Sequence, residues 1–212
     1  MHLASITVSD YARKLASADP TPGGGSAAAA VGAFAAGLVS MVAELTANSP
    51  KFADVAQRAR ELGAAASANL QECVACIDED VAAFDQVSVA YKLPKNTDTE
   101  KAARSIAIQA ALARAAEPPL RVVELAHRSC ALAAELVDFG NPNALSDIGC
   151  AAAFAQAAAK GAALNVEINV KSLKDRATAS KLTERLRPAL AQVNVLSEVV
   201  LGKVNALLES GA

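Results

Sequence analysis

Three interruptions in an otherwise helical pattern hold most of the side chains able to do chemistry: PGGGS at 22–26, YKLPK at 91–95 and GNPNALSD at 140–147. Gly23, Gly24 and Gly25 lead through Ser26 into the most apolar run of the chain. Glycine is a poor helix former, so a triple run calls for an unusual backbone path or for a ligand pressed against bare peptide. Free amides at a helix start suit an anion or a carbonyl oxygen. No lysine follows the last glycine, no strand precedes the first, and G-x-G-x-x-G spacing is absent, so nucleotide binding finds no support. The alternative reading is a sharp loop that lets the helix fit under a neighbour.

Asp78, Glu79 and Asp80 are consecutive on a long helix and therefore point to different faces, with Asp80 on the face of Phe84. A carboxyl group beside apolar neighbours acquires a raised pKa suited to general acid–base catalysis; a solvated acidic face is the plainer reading. Lys92 and Lys95 flank Pro94 and present positive charge to an anionic ligand, or are ordinary surface lysines. In GNPNALSD, the amides of Asn141 and Asn143, the Ser146 hydroxyl and the Asp147 carboxylate crowd a helix start. Asn143 or Ser146 would cap that helix and Asp147 would favour its dipole. The array also matches what a flat heterocycle with several N–H donors and ring nitrogens requires.

The elements that must position these groups are helices. The 212 residues are 53% hydrophobic, much of it alanine, with 3% aromatics and no tryptophan, a balance for close-packed helices and against sheet. One domain over residues 1–212 is expected, an all-α bundle of about five or six long antiparallel helices. Ser9 and Asp10 would cap a first helix to about Ala18, and Ser26 a second to Asn48. A third would run from about Lys51 to Ala90. Thr97 and Glu100 form a capping box for a long helix kinked at Pro118 and Pro119, another begins by Ser146, and the last runs from about Asp175 to Leu208 with a kink at Pro188. Helices of ~40 residues would rise ~60 Å, more than a compact monomer easily covers, so a two-fold dimer is expected.

Composition also limits partners and location. A net charge of -2 with interspersed signs gives no basic field for nucleic acid. The run from Ala27 to Ala43 nears the length of a membrane span, but glycines interrupt it and Glu44 follows, so a helix central to a bundle or at a subunit interface fits better than a membrane. The N-terminal residues lack a basic segment before an apolar one, which points to a cytoplasmic protein. Cys73 and Cys76 lie within a helix and Cys130 and Cys150 have no ligand-like spacing, so all four read as small buried hydrophobes, with no metal site.

The segments TPGGGSAAAAVGAFAAGLVSMVAELT, DEDVAAFDQVSVAYKLPKNTDTEKAARSIAIQAAL and GNPNALSDIGCAAAFAQAAAKGAALNVEINVKSLKD, in that order, resemble the cyclodeaminase/cyclohydrolase family. That family comprises the C-terminal domain of formimidoyltransferase-cyclodeaminase and free-standing bacterial methenyltetrahydrofolate cyclohydrolases. The resemblance implies an all-helical dimer that binds a tetrahydrofolate derivative without metal or redox cofactor. It carries over onto Gly23 to Ser26, Asp80, Phe84, Leu93 to Lys95, Asn141, Asn143, Ser146 and Asp147; at Glu44 a neutral residue is expected. It further implies that Asp147, or alternatively Asp80, activates water against the bridging carbon. Asn141 and Asn143 would orient pterin or adduct, the glycine amides would donate to a carbonyl or carboxylate, and Lys95 would attract the glutamate tail. With no transferase sequence attached, cyclohydrolase is the expected activity; cyclodeaminase, or a silent helical assembly protein of the same fold, are the alternatives.

Overall fold

A computed structural model of the chain describes residues 2–210, and among these there is no strand. Seven α-helices follow one another: α1 (Val8–Leu15), α2 (Gly24–Ala47), α3 (Ala56–Lys92), α4 (Asp98–Ala115), α5 (Glu117–Leu136), α6 (Leu145–Ser172) and α7 (Arg176–Ser210). All but α1 are long, and α3, at 37 residues, extends about 55 Å at 1.5 Å per residue.

Four starts differ from the sequence expectation. Thr7, not Ser9 or Asp10, caps α1 by accepting from the Asp10 amide. α2 begins two residues before Ser26, with Gly23 at its N-cap, because glycine tolerates helical entry there and the Ser26 side chain is engaged elsewhere. α3 starts at Ala56, after a 3-10 turn over Pro50–Phe52. The expected kink at Pro118 and Pro119 is a break at Ala116: both prolines enter the first turn of α5, where no intrahelical amide bond is lost. Thr97 and Glu100 do form the capping box of α4, and Pro188 lies inside α7 without ending it.

α2 is the central rod. Gly25 faces Asp80, Gly32 faces Cys73 and Gly63 faces Ala43, so α2 and α3 run antiparallel at close range. Gly24 lies beside Asn165 and Gly161 beside Ala28, so α6 runs antiparallel to α2 on another side. Arg58 pairs with Glu135 and Arg121 with Glu79, which fixes α5 antiparallel to α3. Small side chains permit these approaches: Ala29, Ala35, Ala36, Ala155 and Ala159 are wholly buried.

α2 is also the one helix among the described residues long and apolar enough to cross a membrane, with mean hydropathy 1.8. Most of its circumference is covered by α3, α5 and α6. This helix sets the frame for the site, because its two ends carry two different groups of polar residues.

Candidate active site

The triple glycine is explained at one end of α2. A Cβ placed on Gly25 would lie 2.6 Å from the Asp80 Cγ and overlap its carboxylate oxygens, so only glycine lets that carboxylate reach the helix start. A Cβ on Gly24 would be 3.3 Å from Asn165 Nδ2, tighter than ordinary contact, whereas one on Gly23 would meet nothing nearer than 3.8 Å. The Ser26 amide, at the positive start of the helix, favours the charged form of Asp80. Burial nevertheless dominates and holds the Asp80 carboxyl above its ordinary value of 3.8, the Ser26 amide offsetting it only in part. Ser26 itself is buried, and its Oγ shares a 2.8 Å hydrogen bond with the Tyr11 hydroxyl, which ties α1 to the loop.

The helix start and Asp80 open into a cavity of about 310 Å³. Its floor is Gly23, Gly24 and Gly25; Asp80, Phe84 and Val87 of α3 form one wall; Asn165 and Asn169 of α6 form the opposite one; and Leu112 of α4 closes it. Asp80 is the sole ionisable side chain among the lining residues. The two asparagines, one turn apart, are fixed through their Nδ2 groups: Asn165 donates to the Gly161 carbonyl (2.9 Å), and Asn169 to the carbonyls of Asn165 (2.9 Å) and Ala115 (3.2 Å). Their Oδ1 atoms thereby remain as acceptors. Sequence reasoning missed both; the signal was two amides at i and i+4 in 165-NVEIN-169. The arrangement supplies a basic carboxylate, helix amides, acceptor amides and an aromatic face around a volume suited to a small fused-ring ligand.

The other expected residues stand elsewhere. Lys92 ends α3 and Lys95 follows it; both are exposed and outside the cavity wall, Lys92 lying about 18 Å along the helix from Asp80. The 140–147 group lies at the opposite end of α2. There the buried Thr46 donates to the Val42 carbonyl (2.8 Å) and accepts from the Asn141 amide (2.9 Å). Asn141 Oδ1 accepts from the Asn143 amide (3.0 Å), capping the 3-10 turn Pro142–Ala144. A Cβ on Gly140 would lie 2.7 Å from the Leu136 carbonyl oxygen, so this turn too needs its glycine.

Neither Asn143 nor Ser146 caps α6, contrary to that expectation: its N-cap is Ala144, and Asp147 is in its first turn. Along α2 the separation from Gly25 to Thr46 is about 30 Å, and along α6 that from Asp147 to Asn165 is about 27 Å. Within one chain, Asp80 and Asp147 therefore do not share a site. Glu44, exposed near the C-terminus of α2 and accepting from Asn48 Nδ2 (3.2 Å), belongs to the Asp147 end.

Cys73, Cys76 and Cys130 are buried, and burial pushes their thiols up to about 12, 11 and 12; Cys150 is exposed, unlike the expectation for it. Among the described residues no group of three or more His, Cys, Asp or Glu side chains is placed to hold a metal ion.

Comparison with known proteins agrees with this architecture. The chain is 41% identical over 203 residues to methenyltetrahydrofolate cyclohydrolase of Methylorubrum extorquens, covering 94% of this chain and 98% of that protein. It is 32% identical over 207 residues to formimidoyltransferase-cyclodeaminase of Rattus norvegicus, of which it spans 38% of the length. The crystal structure of formiminotetrahydrofolate cyclodeaminase from Thermotoga maritima superposes with a TM-score of 0.87 at 27% identity, covering 96% of this chain and 98% of that one. Residues 7–188 match the family described as Formiminotransferase-cyclodeaminase, and the chain belongs to that family.

Proposed function

We propose that this protein is a methenyltetrahydrofolate cyclohydrolase, a cytoplasmic homodimer that opens 5,10-methenyltetrahydrofolate to 10-formyltetrahydrofolate without a metal or redox cofactor and without nucleic-acid or membrane partners. The observation that carries the reading is a single partly buried carboxylate, raised in basicity, facing a cavity whose remaining walls are amide, aromatic and aliphatic. The end-to-end likeness to a relative named as a cyclohydrolase supports it.

In the substrate, one carbon bridges two nitrogens that share a positive charge. Asp80 offsets that charge and takes a proton from water as the water oxygen bonds to the bridging carbon. The neutral tetrahedral adduct then loses its C–N5 bond: the proton on Asp80 passes to N5, the adduct hydroxyl gives its proton to solvent, and the formyl group remains on N10. Asn165 and Asn169 offer acceptors to the ring N–H groups, Phe84 lies against the flat cation, and the amides at the start of α2 donate to the ring carbonyl or to the oxygen of the adduct. Lys95, with Lys92, meets the anionic tail outside the cavity. Asp80 thus takes the role that sequence assigned first to Asp147.

The likeness to a structure named as a cyclodeaminase favours one second reading, in which ammonia leaves from a related tetrahedral carbon. Loss of methenyltetrahydrofolate absorbance on adding protein, with spontaneous hydrolysis subtracted, is expected for the cyclohydrolase. Ammonia release from formiminotetrahydrofolate without that loss would replace it by the cyclodeaminase, and inactivity in both assays would leave a silent helical assembly.

A further inference from the structure

The start of α2 has no side-chain cap: Gly23 stands at the N-cap position, where no side chain can accept from the first turn. The first backbone bond of the helix runs from the Ala27 amide to the Gly23 carbonyl (3.0 Å), so the amides of Gly24, Gly25 and Ser26 have no partner within it. The glycines also give this turn no side chain to hold it and the most conformational freedom to lose. An uncapped glycine turn frays, yet this one carries the amide that meets Asp80. Ser26 is the first residue of α2 with a side chain, and it is wholly buried. Among the described residues its hydroxyl makes one hydrogen bond, to the Tyr11 hydroxyl at 2.8 Å.

Tyr11 comes from a helix with little else to fix it. None of the eight residues of α1 is buried, and Val8 and Leu15 are 70% and 42% exposed. The segment before α1 supplies the alignment: Leu3 is buried, its amide donates to Asp78 Oδ1 (2.6 Å), and His2 Nδ1 lies 3.3 Å from Asp78 Oδ2. The acidic triplet of α3 is thereby divided among three surroundings. Asp78 pins the N-terminal segment, Glu79 pairs with Arg121 of α5 (3.4 Å), and Asp80 faces the cavity. The stretch from Leu3 to Tyr11 is fastened to α3 at one end and to α2 at the other, and so braces the two helices that meet at Gly25 and Asp80.

We propose that Tyr11 is a positioning residue for Asp80: its hydroxyl, acting through Ser26, takes the place of the missing cap and holds the first turn of α2 against the carboxylate. Burial holds the Asp80 carboxyl above its ordinary value and the Ser26 amide opposes that rise, so loosening the turn lets the carboxyl rise further. Burial also raises the Tyr11 phenol above its ordinary 10.0, which keeps the hydroxyl protonated at neutral pH. Few ionisable groups surround Asp80. They are Tyr11 from α1, Cys76, Asp78 and Glu79 from its own helix, His2 against Asp78, and Arg121 of α5 against Glu79; α2, α4 and α6 line the cavity with none. Of these, Tyr11 alone hydrogen-bonds to the start of α2. The effect of Tyr11 on turnover rests on the folate reading above; its effect on Asp80 does not.

Tyr11→Phe keeps the ring and removes the hydroxyl. In the pH dependence of kcat/KM its acid limb is expected to move up by about half a pH unit, as one weakened hydrogen bond to a carboxylate would give. Ser26→Ala should move the limb the same way, and the double variant no further than Ser26→Ala alone, because the two hydroxyls act as a unit. The Asp80 carboxyl, identified by 13C NMR as the resonance missing from Asp80→Asn, should show the same upward shift when titrated without substrate. A kcat/KM lowered equally at every pH with the carboxyl midpoint unmoved would overturn the proposal, as would shifts that add in the double variant. Should Tyr11→Phe fail to fold, the titration of Ser26→Ala decides: an upward shift supports the brace, and a wild-type midpoint overturns it. A wild type inactive on both folates would refute the functional reading, and the NMR titration would still decide the role of Tyr11.

Discussion

The two ends of α2 use polar residues in opposite ways. At the N-terminal end, a partly buried carboxylate packs against glycine backbone and looks into a cavity, and its loss of solvent keeps Asp80 more basic than a surface acid. At the C-terminal end, the polar groups spend their hydrogen bonds on one another: Thr46 on Asn141 and Asn141 on Asn143. Enclosure without full satisfaction suits the first end to taking up a proton. Satisfaction makes the second a rigid support, from which Asn143, Ser146 and Asp147 project at the surface or near it.

The largest test of this contrast is Asp80→Asn, which is expected to lower kcat/KM by ~10²- to 10⁴-fold, the range of a lost general base. Stability should move the other way. A carboxyl whose folded pKa is raised favours the native state fully below its unfolded value near 3.8 and loses that contribution as pH rises through the folded value. Thermal unfolding at pH 7 should therefore show the variant at least as stable as wild type, with the advantage vanishing on acidification through that window.

Gly25→Ala comes next. The added methyl must displace Asp80 or the start of α2, at a cost of about 1–3 kcal/mol together with most of the activity. Gly23→Ala, with no atom nearer than 3.8 Å, should leave both nearly unchanged, as steady-state kinetics and denaturant melts of the pair would show. At the other end, Thr46→Val leaves the Asn141 amide without its partner and should cost about 1–3 kcal/mol. The smallest effect lies away from both ends: Thr97→Ala removes half a capping box and should cost ~1 kcal/mol in chemical unfolding with kcat unchanged.

Local rules made part of this legible in the sequence. The capping box at Thr97 and Glu100 depends on residues three apart, and the all-helical class follows from abundant alanine with few aromatics. Asp80 beside Phe84 was readable as an acid on an apolar face for the same reason. Ser26 misled because its position resembles a cap, while the chain had glycine backbone to start the helix earlier and used the hydroxyl to hold Tyr11. The role of Gly25 depends on α3, and the asparagine wall on α6, over a hundred residues away in sequence. The same limit hid where the helix breaks sit relative to one another: that PGGGS and GNPNALSD lie at opposite ends of a 24-residue helix depends on how α5 and α6 pack against it.

The central claim is that Asp80 is the base of the reaction, and the pH dependence of kcat/KM tests it most directly when wild type and Asp80→Asn are measured side by side. The wild-type rate should fall on acidification with a midpoint above 3.8, the ordinary value for this group, and the residual rate of the variant should lack that limb. An acid limb that persists unchanged in a folded Asp80→Asn protein would contradict the account and return the role of base to another carboxylate, with Asp147 the first to examine.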